Sequence, residues 1–285
     1  MAATRLLVGQ LPAIGAGALL HPARRHVAGP PPEGCEPAAF AGEGVVLQGW
    51  RCRAAGARRG ALVYLHGVAD NRTSAAGVIR QFCPRGFDVV AYDSRAHGES
   101  EGEACTYGWY EKQDLRRVID TIAPGPIVLV GASLGAAVAL QEAAIDPRVT
   151  AVVAAEGFSD LRTIATERAP FVFTGQILRR AFSLAEEEGH FPIDGVRPES
   201  AASHLSIPVL LVHGGADSDT PPEHSRRVFA ALTGSKQLIV VPGARHNGSL
   251  RAEVWGEISR WIDAQLVPER VASPYAEESA SGGLM

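Results

Sequence analysis

Short apolar runs alternate with helical patterns through the middle of the chain. The runs "ALVYLH", "IVLVGA" and "VLLVHG" have no alternating polar positions, which is typical of strands buried on both faces. Helical spacing follows most of these runs, so the pattern predicts an α/β fold with a mostly parallel sheet flanked by helices. The predicted strands span residues 44–50, 61–66, 87–92, 126–130, 149–154, 208–213 and 237–241. The predicted helices span residues 74–83, 111–122, 134–145, 223–232 and 252–265.

One stretch, residues 160–204, interrupts this alternation with a long, partly helical insertion that carries four phenylalanines among clustered charges. Long excursions of this kind are usually functional, so we expect a short helical cap over a site, with an ordinary pair of surface helices as the alternative. The chain then divides into an N-terminal leader and connector at 1–43, a main domain at 44–267 that includes the cap, and a disordered tail at 268–285.

The leader contains an apolar segment at residues 6–20, preceded by Arg5. A membrane-spanning helix needs roughly 20 apolar residues, so this segment is short for a span. A signal peptide needs a charged start and a small-residue cleavage site, which Ala16 to Ala18 supply. The sequence favours a leader that packs or frays, and with it a cytoplasmic location. Export, membrane anchoring and membrane association through residues 6–20 remain open.

Composition excludes several classes of protein. Of the 285 residues, 46% are apolar and 20% are charged, which excludes a disordered chain. The 27 basic and 31 acidic residues give a formal charge of −4, so no nucleic-acid partner is expected. The cysteines contain no CxxC pair and are too few to cross-link a chain of this size, which indicates neither a zinc site nor a disulfide framework. They stand at positions 35, 52, 83 and 105.

The clearest chemical motif is "GASLG" at residues 131–135, which follows the strand "PIVLV" and opens an apolar helix. Strand, tight turn and helix together predict a nucleophile elbow, in which the flanking glycines relieve crowding around a sharply turned serine. The turn would lift the hydroxyl of Ser133 above the sheet, at a helix N-terminus that favours negative charge. We therefore predict Ser133 as a nucleophile.

A serine nucleophile needs a base within hydrogen-bond reach, and that base needs an acid to orient it. In this strand, turn and helix arrangement the chain order is Ser, then Asp or Glu, then His. Asp217 and His246 both follow predicted strands in that order and are the predicted acid and base. Asp219 and Glu156 are the alternatives for the acid.

Backbone N–H groups are expected to bind the oxyanion that forms when the serine attacks. Leu134, directly after the nucleophile, is predicted to supply one of them. The other is expected from the loop after "LVYLHG", where Val68 is the first choice and Gly67 the alternative. Loop geometry decides between the two.

Because of these residues and their order, the chain resembles the alpha/beta-hydrolase superfamily. Within it, the chain is similar to the serine aminopeptidase-like and monoglyceride-lipase-like hydrolases. The resemblance covers residues 44–266 and includes "GFDVVAYDSRAHGESEG", "VLLVHGGADSDTPP" and "VVPGARHNG". Ala96 departs from the family pattern, which usually has glycine there. Asp93, Arg95 and His97 of the same segment are expected to be structural.

The resemblance implies a serine hydrolase that cleaves a carboxylic ester or related acyl bond without a metal or organic cofactor. The phenylalanines of residues 160–204 favour a small, partly apolar acyl substrate, although they equally fit a small core of the cap itself. The same fold hosts acyltransferases, thioesterases, peptidases and non-catalytic binding proteins, which are the alternatives. The identity of the substrate and the oligomeric state stay open.

Overall fold

A computed structural model describes residues 2–266 of the chain. The predicted tail at 268–285 lies outside the described residues. Within them, the strands are β1 (Cys35–Ala41), β2 (Val46–Cys52), β3 (Gly60–Leu65), β4 (Phe87–Tyr92), β5 (Ile127–Ala132), β6 (Val149–Ala155), β7 (Val209–Gly214) and β8 (Lys236–Val241). The α-helices there are α1 (Ala2–Leu20), α2 (Ala76–Phe82), α3 (Glu111–Ile119), α4 (Leu134–Ala143), α5 (Leu161–Glu167), α6 (Gly175–Gly189), α7 (Pro198–Ala202), α8 (Glu223–Ala231) and α9 (Ala252–Gln265).

Within residues 2–266, the eight strands form one sheet in the order β1-β2-β4-β3-β5-β6-β7-β8. From β4 to β8 every neighbouring pair is parallel. All residues of β3, β5 and β7 are buried, because helices cover both faces. Helices α3, α4 and α8 pack on one face, whereas α2 and α9 pack on the other. The predicted fold class is confirmed.

The sheet begins earlier in the chain than predicted. Residues 35–41, expected to belong to a connector, form the edge strand β1, which pairs with β2 in antiparallel fashion. Pro37 makes this strand hard to recognise in the sequence, because proline has no backbone N–H to donate. An edge strand tolerates proline, since a neighbouring strand lies on only one of its sides. Cys35 lies opposite Cys52 in this pair and forms a disulfide with it, a link that the cysteine spacing had not indicated.

Residues 160–204 leave the sheet after β6 and return at β7. They form α5, α6, α7 and a short 3₁₀ helix, Ile193–Gly195. Phe182 and Phe191 are buried in a small apolar cluster of their own, which also includes Leu20 of α1. The predicted leader is thus helical and packs, through its second half, against this insertion. Among the described residues, no helix is both long and apolar enough to span a bilayer.

Candidate active site

Ser133 lies at the sharp turn between β5 and α4. Its backbone has φ 51° and ψ −110°, a strained conformation for a residue with a side chain. Neighbouring glycines make this turn possible. A Cβ on Gly135 would overlap the backbone carbonyl of Leu65 on β3, and a Cβ on Gly131 would overlap the backbone of Gly135. The turn therefore presents the hydroxyl of Ser133 at the carboxyl ends of the parallel strands.

His246 lies between Ser133 and Asp217, in the loop after β8. Its Nε2 is 3.1 Å from Oγ of Ser133 and its Nδ1 is 2.7 Å from Oδ2 of Asp217. The carboxylate accepts a hydrogen bond from Nδ1–H, which leaves Nε2 free to accept the serine proton. The three side chains that the sequence predicted separately thus form one chain of hydrogen bonds.

Asp217 is held in place by its own loop. Its Oδ1 accepts hydrogen bonds from the backbone N–H groups of Asp219 and Thr220, at 2.9 and 2.8 Å. The second oxygen, Oδ2, is left to His246. Asp219, the first alternative for the acid, has an exposed side chain and contributes a backbone N–H instead.

Glu156, the other alternative, lies directly after β6 and is buried. Its backbone is in the left-handed region, with φ 55°. Both carboxylate oxygens accept backbone N–H groups of the loop that carries His246, one from Asn247 and one from Ser249. Glu156 therefore holds the histidine loop rather than the imidazole ring.

The loop that follows β3 lies beside the serine. A Cβ built on Gly67 would be 3.5 Å from Cβ of Ser133, and Val68 lines the same cavity as Ser133. Among the described residues, no hydrogen bond engages the backbone N–H of Val68 or of Leu134. Both N–H groups are available to an oxyanion, and the choice between Val68 and Gly67 stays a prediction.

His66 braces this loop. Its Nδ1–H donates to the carbonyl oxygen of Gly67 at 2.7 Å, and its Nε2 accepts the backbone N–H of Ser94 at 2.9 Å. Complete burial lowers the pKa of His66, because charging the ring would cost solvation. His66 therefore serves the loop as a neutral ring.

The segment around Asp93 adjoins the loop after β3, since the backbone N–H of Ser94 bonds to His66. Arg95 forms a two-point ion pair with Asp114 on α3, with both N···O distances 2.7 Å, and Asp93 pairs with Arg72. Burial is the main cause that lowers the pKa of His97 to about 4, and the neighbouring His66 adds to it. Nδ1–H of His97 donates to the carbonyl oxygen of Arg95 at 2.8 Å. The structural role of Asp93, Arg95 and His97 stays a prediction.

A cavity of about 630 Å³ opens over the serine. Its lining is mostly polar and includes Ser133, Glu167, Arg168, Ser218, Asp219 and His246. Arg168 at the end of α5 donates to the carbonyl oxygen of Asp219 at 2.7 Å and to Oγ1 of Thr220 at 2.9 Å. The insertion at 160–204 is thereby tied to the loop of Asp217. No sequence signal had pointed to Arg168, because its partners Asp219 and Thr220 lie 51 and 52 residues further along the chain.

Glu156, Asp217 and His246 bring three possible metal ligands within 4.8 Å of one another. Their donor atoms, however, are engaged in the hydrogen bonds described above. A cation would have to displace the backbone N–H groups that Glu156 accepts. The cluster therefore fits a hydrogen-bond network around a histidine.

Fold and site together define the class. A nucleophile elbow after a central parallel strand, with a histidine and an aspartate from later strand ends, is the arrangement of α/β hydrolases. The sequence profile of the alpha/beta hydrolase family matches residues 62–257. The chain belongs to the alpha/beta hydrolase family.

Known proteins resemble the chain along most of its length. The uncharacterized protein YfhR of Escherichia coli K12 is 29% identical over 231 residues, which cover 76% of this chain and 75% of YfhR. Among solved structures, the esterase Pf2001 of Pyrococcus furiosus superposes with a TM-score of 0.71 at 21% identity, covering 87% of this chain and all of that one (100%). Est1E of Butyrivibrio proteoclasticus, solved with ferulic acid, has a TM-score of 0.65 at 17% identity and covers 80% and 99% of the two chains.

Proposed function

We propose that the protein is a serine hydrolase that cleaves a carboxylic ester or related acyl bond with Ser133, His246 and Asp217 as its catalytic triad. The observation that carries this proposal is the continuous chain of hydrogen bonds from Oγ of Ser133 through the imidazole of His246 to Asp217. A serine hydroxyl becomes a useful nucleophile at neutral pH only when a base in such a position can take its proton.

The reaction follows from the geometry. Oγ of Ser133 attacks the carbonyl carbon while Nε2 of His246 takes the proton, and Asp217 stabilises the imidazolium. The backbone N–H groups of Val68 and Leu134 bind the oxyanion. His246 then protonates the leaving group, which departs and leaves an acyl-enzyme. A water molecule, deprotonated by the same histidine, releases the acid and restores Ser133.

Similar proteins support an esterase with a small-molecule substrate. Pf2001 is named an esterase, and Est1E is bound to ferulic acid. The motifs around Asp93, Asp217 and His246 add the narrower resemblance to serine aminopeptidase-like and monoglyceride-lipase-like hydrolases. We therefore propose a small-molecule ester, and keep the 160–204 insertion as a cap over its binding site.

Acyltransferases, thioesterases and peptidases use the same triad, since they differ in the leaving group or in the acceptor that attacks the acyl-enzyme. The cavity at Ser133 has a polar lining that includes Glu167, Ser218 and Asp219. Such a lining admits water to the acyl-enzyme, whereas transfer requires a site that excludes it. This favours hydrolysis.

The test is the reaction of the purified protein with a fluorophosphonate, read by intact mass and peptide mapping. We expect a single adduct on Ser133, no adduct in Ser133→Ala, and hydrolysis of p-nitrophenyl acetate by the wild-type protein alone. A folded wild-type protein without adduct or hydrolysis would favour a non-catalytic binding protein on the same fold.

A further inference from the structure

A second, apolar cavity of about 370 Å³ lies between α1 and the insertion. We call it the apolar chamber. Ile14, Ala18 and Leu19 line it from α1, and Ala165, Phe173 and Phe182 from the insertion. Among the described residues that line it, Arg168 alone is charged. The chamber therefore suits a hydrocarbon group, since burying such a group needs no hydrogen-bond partner.

A smaller cavity of about 50 Å³ has Ser133 in its lining and shares wall residues with the chamber. We call it the passage. Leu19, Val68 and Ala165 line both the chamber and the passage, and Ser133 and Leu134 also line the passage. An acyl chain that extends from Ser133 through the passage toward the chamber would lie beside Val68 and Leu134. These are the residues proposed to bind the oxyanion.

Ser133 lines both the polar cavity and the passage, and His246 distinguishes the two. His246 lines the polar cavity but neither the passage nor the chamber. The histidine protonates the leaving group, so the leaving group has to lie on the polar side. The acyl group, which stays bonded to Oγ of Ser133, is then directed to the passage and the chamber.

Helix α1 is built into the body of the protein at this position. The carbonyl oxygen of Leu19 accepts a hydrogen bond from the hydroxyl of Tyr107 at 3.0 Å, and that of Leu20 accepts the backbone N–H of Cys105 at 2.8 Å. Gly15 packs closely against Phe173 of the insertion. The wall that α1 contributes is therefore a fixed part of the chamber.

We propose that the apolar chamber binds the acyl chain of the substrate, so that α1 selects medium-chain and longer acyl esters over acetyl esters. This inference rests on the proposed hydrolase function. Ile14 is 53% exposed, so the chamber reaches the surface at its outer end and sets no sharp upper limit on chain length. Residues 14, 15, 18 and 19 lie on one face of α1. This face lines the chamber, so an apolar segment that resembles a leader can contribute to a binding site.

Matched substitutions on α1 test the proposal. Ala18 and Ala13 are both exposed residues of α1, but only Ala18 lines the chamber. We compare Ala18→Trp, which fills the chamber, with Ala13→Trp as its control. The readout is kcat/KM for p-nitrophenyl octanoate and p-nitrophenyl acetate, with thermal unfolding to establish that each variant folds. Ala165→Leu, which narrows the passage, repeats the test if Ala18→Trp does not fold.

Each fully buried methylene is worth about fourfold in kcat/KM, so the wild-type protein should prefer octanoate to acetate by more than about tenfold. Ala18→Trp should lower this ratio by about tenfold or more, whereas Ala13→Trp should keep both the ratio and the rate of acetate hydrolysis near their wild-type values. A folded Ala18→Trp with the wild-type ratio, or a wild-type profile that is flat from acetate to octanoate, overturns the chamber proposal alone. Absence of both acetate hydrolysis and a Ser133 adduct overturns the hydrolase function as well.

Discussion

The carboxylate of Glu156 lies 2.8 Å from the backbone nitrogen of Ser249 and accepts its N–H. Because the second oxygen accepts the N–H of Asn247, a buried side chain at the end of β6 fixes the residues on the carboxyl side of His246. Asp217 acts on the same histidine from the other direction, through Nδ1 of the ring. Two carboxylates thus orient one residue, one through the loop and the other through the imidazole.

This difference predicts unequal effects of two conservative substitutions. Asp217→Asn removes the acceptor that selects the tautomer of His246, so kcat should fall by about 10³- to 10⁴-fold. Glu156→Gln keeps one acceptor oxygen for the loop, so kcat should fall by about 10- to 100-fold, as is usual when an outer positioning contact is weakened. Steady-state kinetics with p-nitrophenyl acetate measures both effects. We expect KM of both variants to stay near the wild-type value. If Glu156→Gln costs more than Asp217→Asn, the acid has been assigned to the wrong residue.

Gly135 is required by the packing of the elbow against β3. Gly135→Ala should lower the free energy of unfolding by about 1–3 kcal/mol and weaken the reaction of Ser133 with a fluorophosphonate, because the new methyl group overlaps the backbone of Leu65. Gly256→Ala in α9 is the matched control, since its Cβ would contact only Nη1 of Arg260, at 3.7 Å. That control should be neutral or stabilising by about 0.5–1 kcal/mol. Equal effects of the two substitutions in urea unfolding would contradict this role of Gly135.

We expect Glu142 of α4 to make the stability of the folded protein depend on pH. Burial raises the pKa of its carboxyl group from 4.5 to about 7, although Oε1 is 2.8 Å from Nε of Arg116. The folded state therefore holds this proton more tightly than the unfolded state. Its contribution to stability is complete below pH 4.5 and is lost as the pH rises through about 7.

Glu142→Gln should remove this dependence. Between pH 5 and pH 8 the free energy of unfolding of the wild-type protein should fall by about 2.5 kcal/mol relative to that of the variant, since one pKa unit corresponds to about 1.4 kcal/mol. Urea unfolding of both proteins at the two pH values measures the difference. Parallel pH profiles would show that Glu142 titrates at its ordinary value in the folded protein.

The disulfide between Cys35 and Cys52 predicts a dependence on reductant. Cys35→Ser should lower the free energy of unfolding by about 2–4 kcal/mol, because the bond restricts the unfolded chain across a separation of 17 residues. Cys83→Ser is the control, since Cys83 is a free, half-buried cysteine. Thermal unfolding of the oxidised proteins, with and without dithiothreitol, should show a shift in the wild type and in Cys83→Ser but none in Cys35→Ser. A wild type that is insensitive to reductant would argue against a stabilising bond.

Much of the fold could be predicted from the sequence because its signals are local. Continuous apolar runs such as Leu62 to Leu65 belong to strands buried on both faces, and the predicted strands from β2 to β8 differ from the structure by only a few residues at their ends. The residues proposed for catalysis could also be predicted from short sequence motifs. Ser133 lies in a glycine-flanked turn, and Asp217 and His246 follow predicted strands.

Only the tertiary structure decided the relationships between distant segments. Glu156 and Asp217 both follow parallel strands, and the direction of each side chain determines which one faces the ring of His246. Strand β1 depends on pairing with β2, which a sequence containing Pro37 does not signal. Likewise, the apolar composition of α1 favours a segment that packs or frays but leaves a signal or an anchor open. Its packing beside the passage was not predictable from the sequence. The hydrophobic effect favours burial of apolar residues but does not specify which residues they pack against.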